Sequence, residues 1–93
     1  MKEYLDQIFD AKTIDDVCTA LQKSLSTLRD KEFFKNVPAH YENITATNPV
    51  DIQDWFDEMK NDEQVGEEGS LKEIYGLYQA ALQQLRRLGF HRE

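Results

Sequence analysis

The strongest hydrophobic pattern in the sequence lies between residues 70 and 89. Ser70 is the predicted N-cap of a helix here, and Glu73 can complete a capping box with it. Gly89 is the predicted C′ residue, because glycine adopts a left-handed backbone without a Cβ penalty. The apolar residues follow in steps of three and four, the spacing that lines one helix face: Leu71, Ile74, Tyr75, Tyr78, Ala81, Leu82, Leu85 and Leu88.

Three other segments have apolar residues at helical spacing, and they predict three further helices. The first covers residues 2–10. The second follows Thr13, a predicted N-cap, and should run to about Arg29, with a continuation to Asn36 left open. The third follows Asn48, a predicted N-cap with Pro49 at the first helical position, and should end near residues 61–62.

The connections between these helices are short, and they contain no strand-like alternation. Pro38 could begin a short helical turn that carries Tyr41 and Ile44, whereas residues 45–47 should form a loop. Residues 63–69 are polar and contain glycine, so we expect a mobile loop there. The predicted fold is all-α, a single domain over residues 1–93 built as a compact bundle of four or five short helices, mostly antiparallel neighbours.

The negative charge is concentrated in one part of the chain. The formal net charge is −7. Residues 51–68 hold eight acidic residues and one base, Lys60, which gives −7 for this stretch, whereas residues 1–50 at −2 and residues 69–93 at +2 cancel each other. Phosphate binding needs a basic surface, so direct binding of nucleic acid is not expected. A basic protein surface is a suitable partner, because opposite charge speeds encounter.

The third predicted helix has an apolar face and an acidic face. Ile52, Trp55, Phe56 and Met59 share the apolar face. The charge continues beyond the helix into Glu67 and Glu68, which favours a row of carboxylates presented to a basic groove. The alternative is a solvated face that only keeps the domain soluble. The candidate partner-binding residues are Asp51, Asp54, Asp57, Glu58, Asp62 and Glu63.

The sequence offers little for catalysis or for metal binding. A calcium loop aligned on Gly66 would place Val65 and Lys72 at ligand positions, which they cannot fill. Cys18 lies on an apolar helix face and should be a core residue. His40 could be a general base, a pH-sensitive contact or an ordinary surface histidine. We therefore expect no enzymatic activity, no cofactor and no metal site.

The last predicted helix carries features that could support self-association. Leu77 lies off its main apolar stripe, which can mark a second interface. Arg86, Arg87 and Arg92 give a basic end to an acidic molecule, although charge complementing the helix dipole explains two of them equally well. Gly76 within the helix could mark a close approach by another helix, or could have no structural reason. A homodimer is therefore a further option.

Together these features predict a small acidic binding protein in the cytoplasm. No apolar run is long enough to span a membrane, and no secretory signal or cysteine pair occurs in the sequence. The leading hypothesis is a non-enzymatic inhibitor, of the general physical character of bacteriocin immunity or phage counter-defence proteins. It would dock an acidic surface on a basic protein, with a nucleic-acid-binding protein as one option. The alternative is a structural or assembly subunit that oligomerises through an apolar helix face.

Overall fold

The structure is a computed structural model, and it describes residues 2–66 and 69–91. These residues fold into four α-helices. Three 3₁₀ turns lie at Phe33–Asn36, Ala39–Tyr41 and Glu63–Val65, and these residues contain no strand. The predicted all-α class with four main helices is confirmed. The helices are α1 (Lys2–Asp10), α2 (Ile14–Asp30), α3 (Pro49–Lys60) and α4 (Ser70–Arg87).

Helix α4 is the central element, since it packs against α1, α2 and α3. Leu77 is only 1% exposed and belongs to the core, so its predicted place on a second, outer interface is wrong. The apolar stripe of α4 is wider than a single neighbour would require, because partners lie on several of its sides. The Cα radius of gyration is 12.3 Å, and a folded domain of this length is expected to have about 12 Å.

Two helix starts agree with the sequence prediction. The Thr13 hydroxyl oxygen accepts from the Asp16 amide at 3.1 Å. The Asn48 side-chain oxygen accepts from the Asp51 amide at 2.9 Å, and Pro49 occupies the first helical position. Each side chain satisfies one of the amides that the first helical turn leaves unpaired.

The start of α4 differs from the prediction, whereas its end agrees. Gly69, not Ser70, is the N-cap, and among the residues that the structure describes no side chain makes a capping hydrogen bond at this end. The backbone φ of Gly69 is +106°, a conformation open to glycine, so the chain enters the helix one residue earlier than predicted. At the other end, Gly89 has φ +101°, its amide donates to Arg86, and the Phe90 amide donates to the Leu85 carbonyl at 2.9 Å. These two bonds form a Schellman motif, as the sequence predicted.

The segment after α2 turns back on the core instead of continuing the helix. Helix α2 ends at Asp30, and Glu32 has a left-handed backbone with φ +59°, so a continuous helix to Asn36 does not form. Phe34 and Val37 on this segment are buried. Their burial explains why the chain bends here.

The two uncertain connections are partly helical. The turn predicted after Pro38 is a 3₁₀ turn, and both Tyr41 and Ile44 are fully buried. The arginine side chain of Arg29 holds this segment by donating to the Glu42 carbonyl at 3.3 Å and to the Ile44 carbonyl at 2.5 Å. Residues 63–65 form another 3₁₀ turn, which buries Val65. Residues 67 and 68 of the predicted mobile loop lie outside the described residues.

Candidate functional site

The six predicted partner-binding carboxylates lie on α3 and the turn that follows it. We call them the acidic surface. Ile52 and Met59 of α3 are buried on the opposite side of the helix, as its two-faced pattern predicted. The acidic surface includes four exposed residues, Asp54, Asp57, Glu58 and Glu63, and two half-buried ones, Asp51 and Asp62.

Asp51 is engaged by the loop that leads into α3. The Thr47 hydroxyl donates to Asp51 Oδ2 at 2.5 Å, and the Thr45 hydroxyl donates to the same oxygen at 3.3 Å. Asp51 lies in the first turn of the helix, where negative charge is favourable. This carboxylate therefore helps to hold the loop against α3, in addition to any role in docking.

Asp62 is held by a tyrosine from the segment between α2 and α3. The Tyr41 hydroxyl donates to Asp62 Oδ2 at 2.5 Å, and the Gln64 amide donates to Oδ1 at 2.8 Å. The Tyr41 bond, followed by the Gln64 bond, lowers the pKa of Asp62. Burial raises the pKa of Tyr41, and its bond to Asp62 adds to the effect. Both shifts keep Asp62 ionised and Tyr41 protonated.

Glu58 is held by a histidine from the same segment. His40 Nε2 lies 2.5 Å from Glu58 Oε1, and the two side chains are 56% and 47% exposed. The imidazole also meets two aromatic rings edge-on, Tyr41 at 4.9 Å and Trp55 at 5.6 Å between ring centroids. His40, which the sequence left open between three interpretations, thus lies beside the carboxylates of the acidic surface.

Sequence reasoning could not find this cluster. His40 and Tyr41 lie 18 and 21 residues before their carboxylate partners. Their side chains are brought to α3 by the bend at Pro38 and the burial of Tyr41, and no spacing rule describes such a contact. Trp55 was placed correctly beside the apolar residues of α3, but its half-buried ring also borders the acidic surface.

Neutral hydroxyl and amide donors orient Asp51, Asp57 and Asp62 without cancelling their charge. Asp57 accepts from the Gln53 side-chain amide at 2.9 Å. Within the described part of the chain, the partners of Asp51, Asp57 and Asp62 are hydroxyl and amide groups, and Glu58 meets an imidazole. None of these four pairs with a lysine or an arginine there.

Cys18 has the environment of a core residue, as predicted. It is buried, and burial raises the pKa of its thiol, with the charge of Asp15 adding to the effect. Both effects disfavour the thiolate that a nucleophile or a metal ligand requires. Cys18 borders a groove of about 730 Å³ between α2 and residues 46–47. His40, the candidate general base, lies elsewhere, in contact with Trp55 of α3.

Comparison of the chain with protein-family models, curated proteins and solved structures finds no match. Among the described residues, no group of three or more His, Cys, Asp and Glu side chains is arranged to hold a metal ion. None of the four helices is both long enough and apolar enough to cross a membrane.

Proposed function

We propose that this protein is a non-enzymatic binding protein that docks its acidic surface on a basic surface of a partner protein. The observation that carries the proposal is the exposure of Asp54, Asp57, Glu58 and Glu63 along one helix and its following turn. The apolar side of the same helix is buried, so the carboxylates face outward from a rigid support. A rigid row of charges binds with less loss of conformational entropy than a flexible acidic tail.

The charge of this region supports a basic partner. Residues 51–68 carry a net charge of −7 with Lys60 as their single base. Tyr41 lowers the pKa of Asp62, which keeps that carboxylate ionised. A strong local potential of one sign speeds encounter with an oppositely charged surface. Binding should therefore be fast at low salt and should weaken as ionic strength rises.

An inhibitor or immunity protein, or a phage counter-defence protein, is the class that suits this surface. Carboxylates three and four residues apart on a helix repeat about every 5 Å along its axis. Such a row can occupy a groove whose lysines and arginines otherwise contact phosphates. We therefore propose a nucleic-acid-binding protein as the partner, bound in place of its nucleic acid.

The assembly-subunit alternative has weaker support. The apolar face of α4 is covered by α1, α2 and α3, and Leu77 is buried. Among the described residues, the large apolar side chains that remain exposed are Phe9 and Val50. Sedimentation over a range of protein concentrations separates the alternatives, since the assembly function requires a salt-insensitive oligomer.

The test compares two triple variants that remove the same charge from different places. Asp54→Asn/Asp57→Asn/Glu63→Gln neutralises the exposed acidic surface while sparing the carboxylates bound by Tyr41 and His40. The control variant is Glu3→Gln/Asp6→Asn/Asp10→Asn, which removes three charges from the exposed side of α1.

The immobilised proteins are used to capture partners from host extract at low and at high salt, and circular dichroism checks that both variants fold. We expect the wild-type protein and the α1 variant to retain a basic protein that high salt releases. The acidic-surface variant should retain at least tenfold less of it. Equal retention by the two triple variants would remove the proposal.

A further inference from the structure

His40 brings a titratable base into the acidic surface. Its Nε2 lies 2.5 Å from Glu58 Oε1, and its ring is more than half exposed. The charged and titratable groups that face it are Glu58 from α3, Asp62 from the residues after α3, and the neighbouring Tyr41. Histidine is the side chain that ordinarily changes charge between pH 5 and 8.

We propose that protonation of His40 regulates docking of the acidic surface, an inference that rests on the proposed function. With a neutral imidazole, Glu58 presents its full negative charge to a partner. With an imidazolium, the His40–Glu58 pair is neutral as a whole, and the nearby Asp62 is also partly compensated. A partner's lysines and arginines then meet a weaker potential, so binding weakens when acid protonates the imidazole.

The segment that carries His40 stays in place in both charge states. The Tyr41 hydroxyl ties it to Asp62, and Arg29 ties it to the carbonyls of Glu42 and Ile44. The imidazole can donate from Nε2 to Glu58 whether it is neutral or protonated. The regulation therefore acts on the charge of the surface and needs no unfolding of the segment.

Trp55 provides a readout of this event that requires no partner. It is the only tryptophan of the chain, and its ring lies 5.6 Å from that of His40. A cation beside an indole ring interacts with its π electrons, so its emission should change when the imidazole is protonated. The other histidine, His91, is exposed and lies in the residues after α4, which makes it the matched control.

The first arm of the experiment follows Trp55 fluorescence between about pH 5 and pH 8. The proteins are the wild type, His40→Gln and His91→Gln, all checked by circular dichroism at both ends of the range. We expect a single titration in the wild type and in His91→Gln, and a flat response in His40→Gln. A titration that persists in His40→Gln would overturn the assignment of the charge change to His40.

The second arm measures binding of an unstructured arginine-rich peptide at constant low ionic strength. Loss of one surface charge should raise the dissociation constant about threefold between pH 8 and pH 6 in the wild type and in His91→Gln. In His40→Gln the two values should agree within about 1.5-fold. A threefold change that persists in His40→Gln would overturn the regulation while leaving the docking surface intact.

The acidic-surface variant separates the two proposals. If Asp54→Asn/Asp57→Asn/Glu63→Gln binds the peptide as tightly as the α1 control variant, the docking surface fails, and its regulation fails with it. In that case the Trp55 titration would still assign a charge change to His40. Failure of the docking surface is therefore seen in peptide binding by the acidic-surface variant. Failure of the regulation is seen in the responses of His40→Gln to pH.

Discussion

At the scale of single residues, Tyr41 is the side chain that links the core to the acidic surface. Its ring is fully buried, yet its hydroxyl reaches the carboxylate of Asp62 on the surface. A tyrosine is suited to this position because it combines a large apolar ring with a polar tip. The position of Asp62 is therefore set by core packing as well as by α3.

Removing the Tyr41 hydroxyl should produce a pH-dependent loss of stability. The pKa of Asp62 is lower in the folded protein than in the unfolded chain, so its bond stabilises the fold above about pH 4, the unfolded value. The stabilisation is lost as the pH falls through the lower folded value. Tyr41→Phe should thus reduce the free energy of unfolding at pH 7, and the difference from the wild type should shrink in acid.

The free energy of unfolding of Tyr41→Phe is measured by urea denaturation at pH 7 and in acid. Tyr78→Phe is the control. The Tyr78 hydroxyl donates to the Thr45 carbonyl at 2.8 Å, and this acceptor does not titrate. Its removal should cost about 1 kcal/mol at both pH values. If both tyrosine variants show the same dependence on pH, the Tyr41–Asp62 bond does not couple stability to protonation.

At the scale of elements, Gly76 is a weak point of α4. A Cβ atom built on Gly76 meets no heavy atom within 4 Å, so no neighbouring helix requires a glycine there. Gly76→Ala should raise the free energy of unfolding by about 0.5–1 kcal/mol, because alanine is the better helix former. Gly89→Ala should lower it by about 1 kcal/mol, since φ is +101°. Denaturation in urea checks both, and a destabilising Gly76→Ala would contradict the open space around this residue.

A second prediction at this scale concerns the link between α4 and the connection from α1 to α2. The buried side-chain amide of Gln84 donates to the Ala11 carbonyl at 2.8 Å. Gln84→Ala leaves that carbonyl without its donor and should cost about 1–3 kcal/mol. Gln83→Ala, at the exposed neighbouring position, should change the unfolding free energy by less than about 0.5 kcal/mol. Both variants are measured by thermal unfolding. If Gln84→Ala and Gln83→Ala change the unfolding free energy equally, the bond from Gln84 to the Ala11 carbonyl does not stabilise the fold.

The elements differ in how well the sequence could predict them. The helix caps at Thr13, Asn48 and Gly89 could be predicted, because their hydrogen bonds join residues within four or five positions of one another. The start of α4 could not be predicted in this way, because the sequence pattern does not show that Gly69 adopts a positive φ. The carboxylates of the candidate site could be named from charge and spacing alone. Their partners His40 and Tyr41 could not, because those contacts depend on packing between distant segments.

At the scale of the whole molecule, repulsion between the neighbouring carboxylates of α3 opposes folding. Asp51, Asp54 and Glu58 follow each other at three and four residues, and like charges at these spacings destabilise a helix by about 0.2–0.5 kcal/mol per pair. Glu58 also lies near the C-terminal end of α3, where the helix dipole disfavours negative charge. Proteins tolerate such costs where the same groups serve a function.

This cost leads to opposite effects of salt on stability and on binding. Screening weakens repulsion within the acidic surface, so raising NaCl from about 20 to about 300 mM should increase the free energy of unfolding by about 0.5–1 kcal/mol. The same change should weaken binding of an arginine-rich peptide. Asp54→Asn/Asp57→Asn/Glu63→Gln should lose most of both responses, whereas the α1 control variant should keep them. If salt instead destabilises the protein, attractive pairs outweigh repulsion, and the carboxylates of α3 serve the fold rather than a partner.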